Sequence, residues 1–546
     1  MLEGYILDLK KEFQGYNVHT FVKDALAGLT VAAVDLPLAL AFGVSSGADA
    51  GAGLITAIIA GIVIGLLSGA SYQISGPTGA MSAILIGLST TYGLQGVFLA
   101  SFLSGCMLVI ASLFKFGKIV SFIPTSVITG FTSGIAIIIA LGQIDNFFGT
   151  VSHGSDALEK LLSYTKLGFA IDGYTLFFGI FVVIIMLIWP KKWGQYCPSS
   201  LAGIIIALIL QLFLRWDVAM VGTIPTTLFP QTRLSLINIH LSDITHLIFP
   251  ALSIATLGMI ESLLCGASAG KMKNEKLNAD RELMAQGVGN MLIPLFGGVP
   301  ATAAIARTSV AIKAGGQTRL VSVIHSLVIM ISMFLLGPWM SRIPLSALAG
   351  VLMVTAWRMN DFKEIRTLLR NGIKTNISQY LITMISTVVF DLSVAIVIGV
   401  MVSMILFVLN HSNLNISIRD VDHERVGKDL SHHHQKTRII YLSGPIFFGT
   451  QEQIMKVVES LDESVEAIVL SMRGVPSIDD SGIHEFFEIV DYCRMHHCCL
   501  MLSGVQENVM CQMERYHFIE YLGNDHMCWD TITALELLDD YFLKGA

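Results

Sequence analysis

Residues 75–80 read Ser-Gly-Pro-Thr-Gly-Ala, and residues 298–303 read Gly-Val-Pro-Ala-Thr-Ala. Each stretch precedes an apolar segment of only ~11–15 residues, which is too short for a helix that crosses a membrane. Because Gly and Pro interrupt helices, we predict two half-helices that begin in the middle of the membrane. The first opens the third apolar segment and the second opens the tenth. The tenth segment comes seven segments after the third, and because seven is odd the second copy is inverted, as in an inverted-repeat transporter.

The composition places most of the chain in a membrane. Of its 546 residues, 53% are hydrophobic and 14% are charged, whereas soluble proteins have roughly 25% charged residues. We predict an α-helical polytopic membrane protein of fourteen segments in a 7+7 inverted repeat. The segments lie near residues 25–46, 51–69, 77–91, 95–114, 119–141, 173–190, 199–215, 245–266, 281–297, 303–314, 317–337, 344–358, 374–391 and 392–411.

Charge decides orientation and excludes one class of partner. Most Lys and Arg residues of the short loops, such as Lys271 and Arg366, fall on one side, and the positive side of a membrane protein is the inside. We therefore expect an inner (plasma) membrane protein with a cytosolic N-terminus and C-terminal domain. The net charge is −7 and Lys and Arg form no dense cluster, so we expect no nucleic-acid partner.

The chain divides into a membrane domain over residues 1–411, a linker over 412–436 and a soluble domain over 437–546. The linker is predicted from its polar pattern. In the soluble domain, residues 438–443 and 467–471 resemble strands, and residues 452–461 and 482–494 resemble helices, so we predict a compact cytosolic α/β domain.

Two helix starts that face each other inside a membrane form an anion site. The first N–H groups of each helix lack partners, and the peptide dipoles add partial positive charge there. Threonine hydroxyls can donate further hydrogen bonds, and small side chains let an anion approach the backbone. The alternative is that the breaks are ordinary kinks between packed helices. The predicted residues are Thr78, Gly79, Ala80, Thr302, Ala303, Ala304 and Ala306.

Three charged residues lie within apolar segments, where an unpaired charge is costly. Arg307 should face the cavity and attract the anion, or else serve as counter-ion to a carboxylate. Glu261 could carry a symported proton, because desolvation disfavours its charge, or coordinate sodium, or act only as a hydrogen-bond partner. Asp35 could share the coupling role or pair with Arg307. We expect no enzyme activity and no cofactor, because the residues show no pairing of a nucleophile with a base. We expect no metal site, because no set of Cys and His residues is spaced so that all could face one ion.

Several motifs together resemble the sulfate permease family of anion transporters over nearly the whole chain. They are residues 36–43 (LPLALAFG), 75–79 (SGPTG), 260–262 (IES), 278–290 (NADRELMAQGVGN), 297–307 (GGVPATAAIAR) and 314–318 (AGGQT). The resemblance implies a core and a gate domain, an elevator-like movement of one against the other, and a homodimer. It also implies that Leu38 and Phe42 line the site, that residues 78–80 and 303–307 surround the anion, and that Glu261 occupies the coupling-ion position.

The C-terminal region resembles the STAS module through residues 444–448 (GPIFF) and 478–483 (IDDSGI). In soluble proteins of this type a serine of this turn is phosphorylated, but here Asp480 occupies its place. Asp479, Asp480 and Ser481 are therefore candidates for a regulatory turn, or simply cap the start of a helix. The cytosolic partner of this domain is unknown.

The function predicted from the sequence is secondary active transport of a small anion, coupled to protons. Sulfate ranks ahead of bicarbonate and dicarboxylates. The alternatives are a sodium-coupled bicarbonate transporter, a nucleobase permease of the same fold, and a membrane scaffold or sensor that acts through its STAS domain.

Overall fold

The computed structural model describes residues 2–118, 123–154, 157–190, 193, 197–235, 241–390, 392–422, 432–450, 452–462 and 464–545. The chain forms two compact units, Met1–Ser403 and Met404–Ala546. Most of the first unit is helical, and the second contains a five-stranded sheet.

Every apolar segment predicted from the sequence overlaps a helix. Within the ninth segment, a short 3-10 helix, Ile293–Phe296, follows the α-helix that ends at Leu292. In chain order the helices are α1 (Leu2–Glu12), α2 (Val18–Ser45), α3 (Ala50–Leu67), α4 (Gly79–Leu113), α5 (Thr125–Gly142), α6 (Ile144–Phe148), α7 (Ala157–Leu167), α8 (Gly173–Ile188), α9 (Ser199–Leu214), α10 (Leu241–Lys273), α11 (Ala279–Leu292), α12 (Ile305–Lys313), α13 (Leu320–Met340), α14 (Leu345–Met359), α15 (Phe362–Asn371), α16 (Lys374–Val389) and α17 (Leu392–His411).

Within the described residues, six helices are long and apolar enough to cross a membrane. Three shorter apolar helices accompany them, Gly173–Ile188, Ser199–Leu214 and Val397–Asn410. The six long ones are Val18–Ser45, Ala50–Leu67, Gly79–Leu113, Thr125–Phe148, Ile244–Lys273 and Leu320–Met340. That fourteen segments cross the membrane stays a prediction.

The third and fourth predicted segments join into the single element α4. Gly93 divides it, with φ 68° and ψ −178°, a backbone conformation that L side chains rarely adopt. The part of α4 before Gly93 is therefore a short helix of its own, as the sequence predicted for the third segment. It begins at Gly79, directly after the N-cap residue Thr78.

Small residues allow the helices of the first unit to approach each other closely. A Cβ atom added to Gly53 of α3 would lie 1.9 Å from the carbonyl oxygen of Ala39 in α2. A Cβ on Gly130 of α5 would lie 2.4 Å from the Tyr380 oxygen in α16. Backbone contact of this kind is typical of helix packing in lipid, where burial of apolar surface does not drive association.

Two short strands connect the predicted half-helices. Strand β1 (Ser75–Gly76) pairs antiparallel with β2 (Thr302–Ala303), with Ser75 opposite Ala303 and Gly76 opposite Thr302. Helix α4 begins three residues after β1, and α12 begins two residues after β2. The strand pair therefore fixes the starts of these two helices close to each other.

The second unit is a mixed sheet covered by helices. The strands are β3 (Asn415–Asp420), β4 (Thr437–Ser443), β5 (Ala467–Gly474), β6 (Cys499–Ser503) and β7 (Met527–Cys528), in the order β3-β4-β5-β6-β7. Among the described strands of this sheet, β3 and β4 pair antiparallel and the other neighbours pair parallel. The helices are α18 (Gln453–Glu459), α19 (Asp480–Met495), α20 (Glu507–Arg515), α21 (Phe518–Leu522) and α22 (Thr531–Gly545).

The predicted linker differs from the structure in part. Residues 415–420 form β3, because Ile416 and Ile418 alternate with polar residues at the period of a strand and extend the sheet at its edge. His434 is buried, and its Nε2 atom lies 2.9 Å from Asp539 Oδ1. Residues 423–431 of the linker lie outside the described part of the chain.

Candidate functional site

The site begins where β1 and β2 pair, in the interior of the first unit. Ser75, Thr302 and Ala303 are almost fully buried. The backbone N–H of Ala304 donates to the carbonyl oxygen of Ile74 at 3.0 Å, which continues the pairing by one residue. Interrupted helices expose polar backbone groups, and the pairing satisfies part of them in apolar surroundings.

Glu261 of α10 lies at the start of α4. The Thr78 hydroxyl donates to Glu261 Oε2 at 3.1 Å, while its oxygen accepts from the Met81 N–H at 3.5 Å. Thr78 is thus both the N-cap of α4 and the hydrogen-bond partner of the carboxyl group. The structure therefore places the predicted coupling residue beside one of the two predicted helix starts.

The next residue, Ser262, contacts the other helix start. Its hydroxyl lies 2.9 Å from the Thr302 hydroxyl and accepts from the Ala303 N–H at 3.2 Å. The hydroxyls of Thr78 and Thr302 are therefore both engaged by α10. These contacts hold both threonine hydroxyls in place beside the two helix starts.

Arg307 of α12 pairs with Asp35 of α2. Arg307 Nε lies 2.6 Å from Asp35 Oδ1, and both side chains are 1% exposed or less. A second nitrogen of the guanidinium donates to the Pro77 carbonyl oxygen at 2.5 Å. A Cβ on Gly76 would lie 2.4 Å from Arg307 Nη1, so this position needs glycine. Of the roles left open for Arg307 and Asp35, the structure contains the ion pair.

His325 of α13 completes this group. Its Nε2 atom lies 2.8 Å from Asp35 Oδ2, and the side chain is fully buried. Together, His325, Asp35, Arg307 and Pro77 form a chain of contacts that links α13 and α2 to the break before α4.

Sequence reasoning missed several polar residues that hold the strand pair. Gln286 donates to Ser75 Oγ at 2.8 Å, and Asn290 bonds both the N–H and the carbonyl oxygen of Ala301, at 2.7 and 2.9 Å. His325 of α13 and Gln286 and Asn290 of α11 are polar side chains buried in the interior of the first unit. Their place within predicted segments was visible in the sequence and could have identified them, because such residues must find partners inside the protein.

A cavity of about 370 Å³ reaches the start of α4. Of the predicted binding residues, Gly79 lines it, between Ile139 of α5 and Phe42 of α2, whose nearest atoms would lie 2.3 and 3.0 Å from a Cβ placed on this glycine. Its lining is Ser45, Gly79, Ser82, Ala83, Ile84, Ile86, Gly87, Leu88, Thr91, Tyr92, Ile138, Ile139, Gly142, Gln143, Lys160, Phe249, Pro250, Val388, Val389 and Phe390.

The other predicted binding residues differ in how far they are buried. Leu38, Phe42 and Ala80 are buried. Ala304 is half-buried and Ala306 is exposed, so the start of α12 has an accessible side. Arg307 is not among the residues that line this cavity, because Asp35 and the backbone at Pro77 enclose its guanidinium; of the two roles expected for it, this contact matches the counter-ion role.

The candidate regulatory turn belongs to the second unit. Asp479 is the N-cap of α19: its carboxylate accepts from the Gly482 N–H at 2.9 Å and from the Phe448 N–H at 3.0 Å. Asp480 accepts a hydrogen bond from the Tyr516 hydroxyl, which raises the pKa of Tyr516. Ser481 is half-buried. The helix-capping role proposed from the sequence is therefore present in the structure.

No group of three or more His, Cys, Asp or Glu side chains in the described part of the chain could hold a metal ion.

The ion pair gives a direct test of the packing around the site. Asp35→Asn leaves the buried Arg307 guanidinium without its ion-pair partner, which should destabilise the protein by about 3–5 kcal/mol. Its melting temperature in detergent should fall well below that of Arg342→Gln, a control that removes an exposed arginine. The double variant Asp35→Asn with Arg307→Gln should recover part of the loss. A wild-type melting temperature for Asp35→Asn would contradict the pairing.

Comparison with known proteins now identifies the family. The model of the sulfate permease family matches residues 21–386, and that of the STAS domain matches residues 430–532. The putative sulfate transporter YvdB of Bacillus subtilis is 32% identical over 94% of this chain and 97% of the relative. The bicarbonate transporter BicA of Picosynechococcus sp. is 28% identical over 83% of each chain.

A solved structure confirms the fold. That of SLC26A9 matches with a TM-score of 0.82 and 18% sequence identity, over 97% of this chain and 92% of the other. The prediction of a helical membrane transporter fold followed by a STAS domain is thus confirmed. On the family model, which covers residues 21–386, and on the 32% identical relative, the chain belongs to the sulfate permease family.

Proposed function

We propose that this protein is a secondary active transporter of a small anion, with sulfate as its first substrate and bicarbonate or a dicarboxylate as the next candidates. The observation that carries the proposal is the pairing of β1 with β2, which brings the starts of α4 and α12 together inside the first unit. Two helix starts at one place concentrate unpaired N–H groups and positive dipole ends. Such a place favours a negatively charged solute.

The side chains around the helix starts fit an anion better than a cation. Gly79, Ala304 and Ala306 are too small to keep a ligand from the backbone. Arg307 contributes positive charge near the helix starts. Asp35 balances part of this charge, because its Oδ1 atom lies 2.6 Å from Arg307 Nε. The direct contacts are therefore backbone N–H groups, and Arg307 adds to the field and holds the break at Pro77 in place.

The family relatives support oxyanions as the substrate class. One relative is described as a putative sulfate transporter and another as a bicarbonate transporter. We place sulfate first because the relative with 32% identity is the sulfate one and aligns over almost its whole length. Sulfate carries two negative charges and four acceptor oxygens, which suit two helix starts that face one solute.

Protons are the proposed coupling ion, with sodium as the alternative. Glu261 is a carboxyl group inside the first unit, and its bond to Thr78 connects it to the N-cap of α4. Because Thr78 donates to the carboxyl group and accepts from Met81 N–H, a proton added to Glu261 changes the hydrogen bonding at the anion site itself. That contact supplies a physical link between proton binding and anion binding.

The proposed mechanism is an elevator-type movement in a homodimer. The helices that carry the site, α4, α10 and α12, would move as a core against a gate that includes α5 and α16. The cavity supports this division, because its lining has α4 on one side and residues of α5 and α16, among them Ile139 and Val388, on the other. We place the protein in the inner membrane, with the N-terminus and STAS domain in the cytosol and an unknown partner at that domain.

The function is tested by uptake into proteoliposomes that contain the purified protein. Radiolabelled sulfate should accumulate when the outside is acidic, and unlabelled sulfate should compete more strongly than bicarbonate, a dicarboxylate or uracil. Competition by uracil alone would point to a nucleobase permease. Accumulation that follows an imposed sodium gradient and ignores pH would replace proton coupling with sodium coupling.

The role of Glu261 is tested by Glu261→Gln, which keeps the size of the side chain and a hydrogen-bond acceptor for Thr78 but cannot titrate. We expect the variant to lose pH-driven accumulation and to retain sulfate–sulfate exchange. Glu364→Gln, a change on α15 away from the site, is the matched control and should accumulate sulfate normally. Undiminished proton-driven uptake by Glu261→Gln would remove this residue from the coupling mechanism.

A further inference from the structure

Among the residues that the structure describes, Lys160 is the one charged side chain that lines the cavity reaching Gly79. The other lining residues are apolar, small or neutral polar. The wall that α4 forms includes Ile84, Ile86 and Leu88. A charge in a narrow cleft with apolar walls acts over a longer distance than a charge on an open surface, because the walls focus its field. Among the described residues, Lys160 and the start of α4 are therefore the two sources of positive charge at this entrance.

Lys160 lies on α7, outside the membrane-spanning helices, and its side chain is half-buried. Within the described residues, its ammonium group has no carboxylate within the 4.0 Å of an ion pair; the nearby Asp145 is engaged by the hydroxyls of Ser152, at 2.5 Å, and Tyr164, at 2.7 Å. Burial lowers the pKa of Lys160, and Asp145 opposes that effect only in part. The lysine is thus partly desolvated, and no carboxylate of the described part of the chain forms an ion pair with it.

A partly buried ammonium group without a counter-ion is unfavourable unless something compensates for its lost hydration. An anion that passes through the cavity would provide that compensation. The cavity has positive potential at two points: at Lys160, and at Gly79, where α4 begins and its dipole adds partial positive charge. An anion that enters beside Lys160 is therefore drawn toward the helix start.

We propose that Lys160 recruits the anion at the entrance of this cavity and so determines the apparent affinity from one side of the membrane. This inference rests on the proposed function, because Lys160 can recruit the anion only if the protein transports one. Lys160 does not belong to the binding site at β1 and β2. Lys160 acts on the step in which the anion enters the cavity. Its effect should therefore appear in KM and should leave the maximal rate almost unchanged.

The test compares four proteins in sulfate uptake: the wild type, Lys160→Gln, Lys160→Arg and Lys166→Gln. Lys166 lies on the same helix, is exposed and does not line the cavity, so Lys166→Gln is the matched control. We expect Lys160→Gln to raise KM about three- to tenfold without a change in maximal rate. Lys160→Arg, which keeps the charge, should restore most of the affinity, and the control should behave as the wild type.

Salt and sidedness separate recruitment from a merely structural role. Raising the ionic strength should raise KM for the wild type and have little effect on Lys160→Gln, because salt screens exposed charges. The change in KM should appear for sulfate that enters from the face that bears α7 and should be absent for uptake into inverted vesicles.

Two failures are distinguishable. If the wild type transports no anion, the proposed function itself fails. If the wild type transports sulfate but Lys160→Gln has the wild-type KM, or if it loses maximal rate equally from both sides while Lys160→Arg does not rescue it, then the recruiting role of Lys160 is wrong and the proposed function stands.

Discussion

The antiparallel contact of Ser75–Gly76 with Thr302–Ala303 is the constraint on which the rest of the site depends. A helix that begins inside a membrane leaves polar backbone groups without partners in a medium that offers none. The unpaired N–H and C=O groups of two such breaks can hydrogen-bond to each other only if the extended segments pair. That pairing in turn fixes where α4 and α12 begin, and so creates a place where two sets of free N–H groups converge.

A polar network inside the first unit keeps this arrangement in position. Gln286 and Asn290 of α11 bond β1 and the residue before β2, while Ser262 of α10 bonds β2. Arg307 and Asp35 fasten the break at Pro77 to α2. Each of these groups is buried, and a buried polar group without a partner is costly. The network therefore favours one geometry of the breaks, while Gly79 at the end of the cavity remains accessible to a solute.

The sequence predicted the helices well because long apolar segments and Gly/Pro breaks depend on local chemistry. The half-helix that ends at Gly93 is an example, since a short apolar run after Pro77 indicates an interruption without any knowledge of its partners. The sequence also indicated Arg307, Asp35 and Glu261 as charges that need an explanation. It could not choose between an ion pair and a cavity-facing role for Arg307, because that choice depends on how α2 and α12 pack.

Other parts of the structure depend on long-range contacts and were therefore not predicted. His325 is far from Asp35 in the chain, and only the packing of α13 on α2 joins them. Residues 415–420 lie in a stretch that reads as a polar linker, and their short alternation of isoleucine with polar residues becomes a strand beside β4. No sequence motif distinguishes Lys160, and it is the fold that places this residue at the cavity.

An anion bound between the two helix starts can be located directly with selenate. Selenate resembles sulfate in shape and charge, and its selenium atom can be located by anomalous diffraction from crystals grown with it. We expect a selenium peak from which the selenate oxygens reach backbone N–H groups at the starts of α4 and α12, at hydrogen-bonding distances of about 2.7–3.2 Å. A peak elsewhere in the first unit, with both helix starts unoccupied in a protein that transports sulfate, would contradict it.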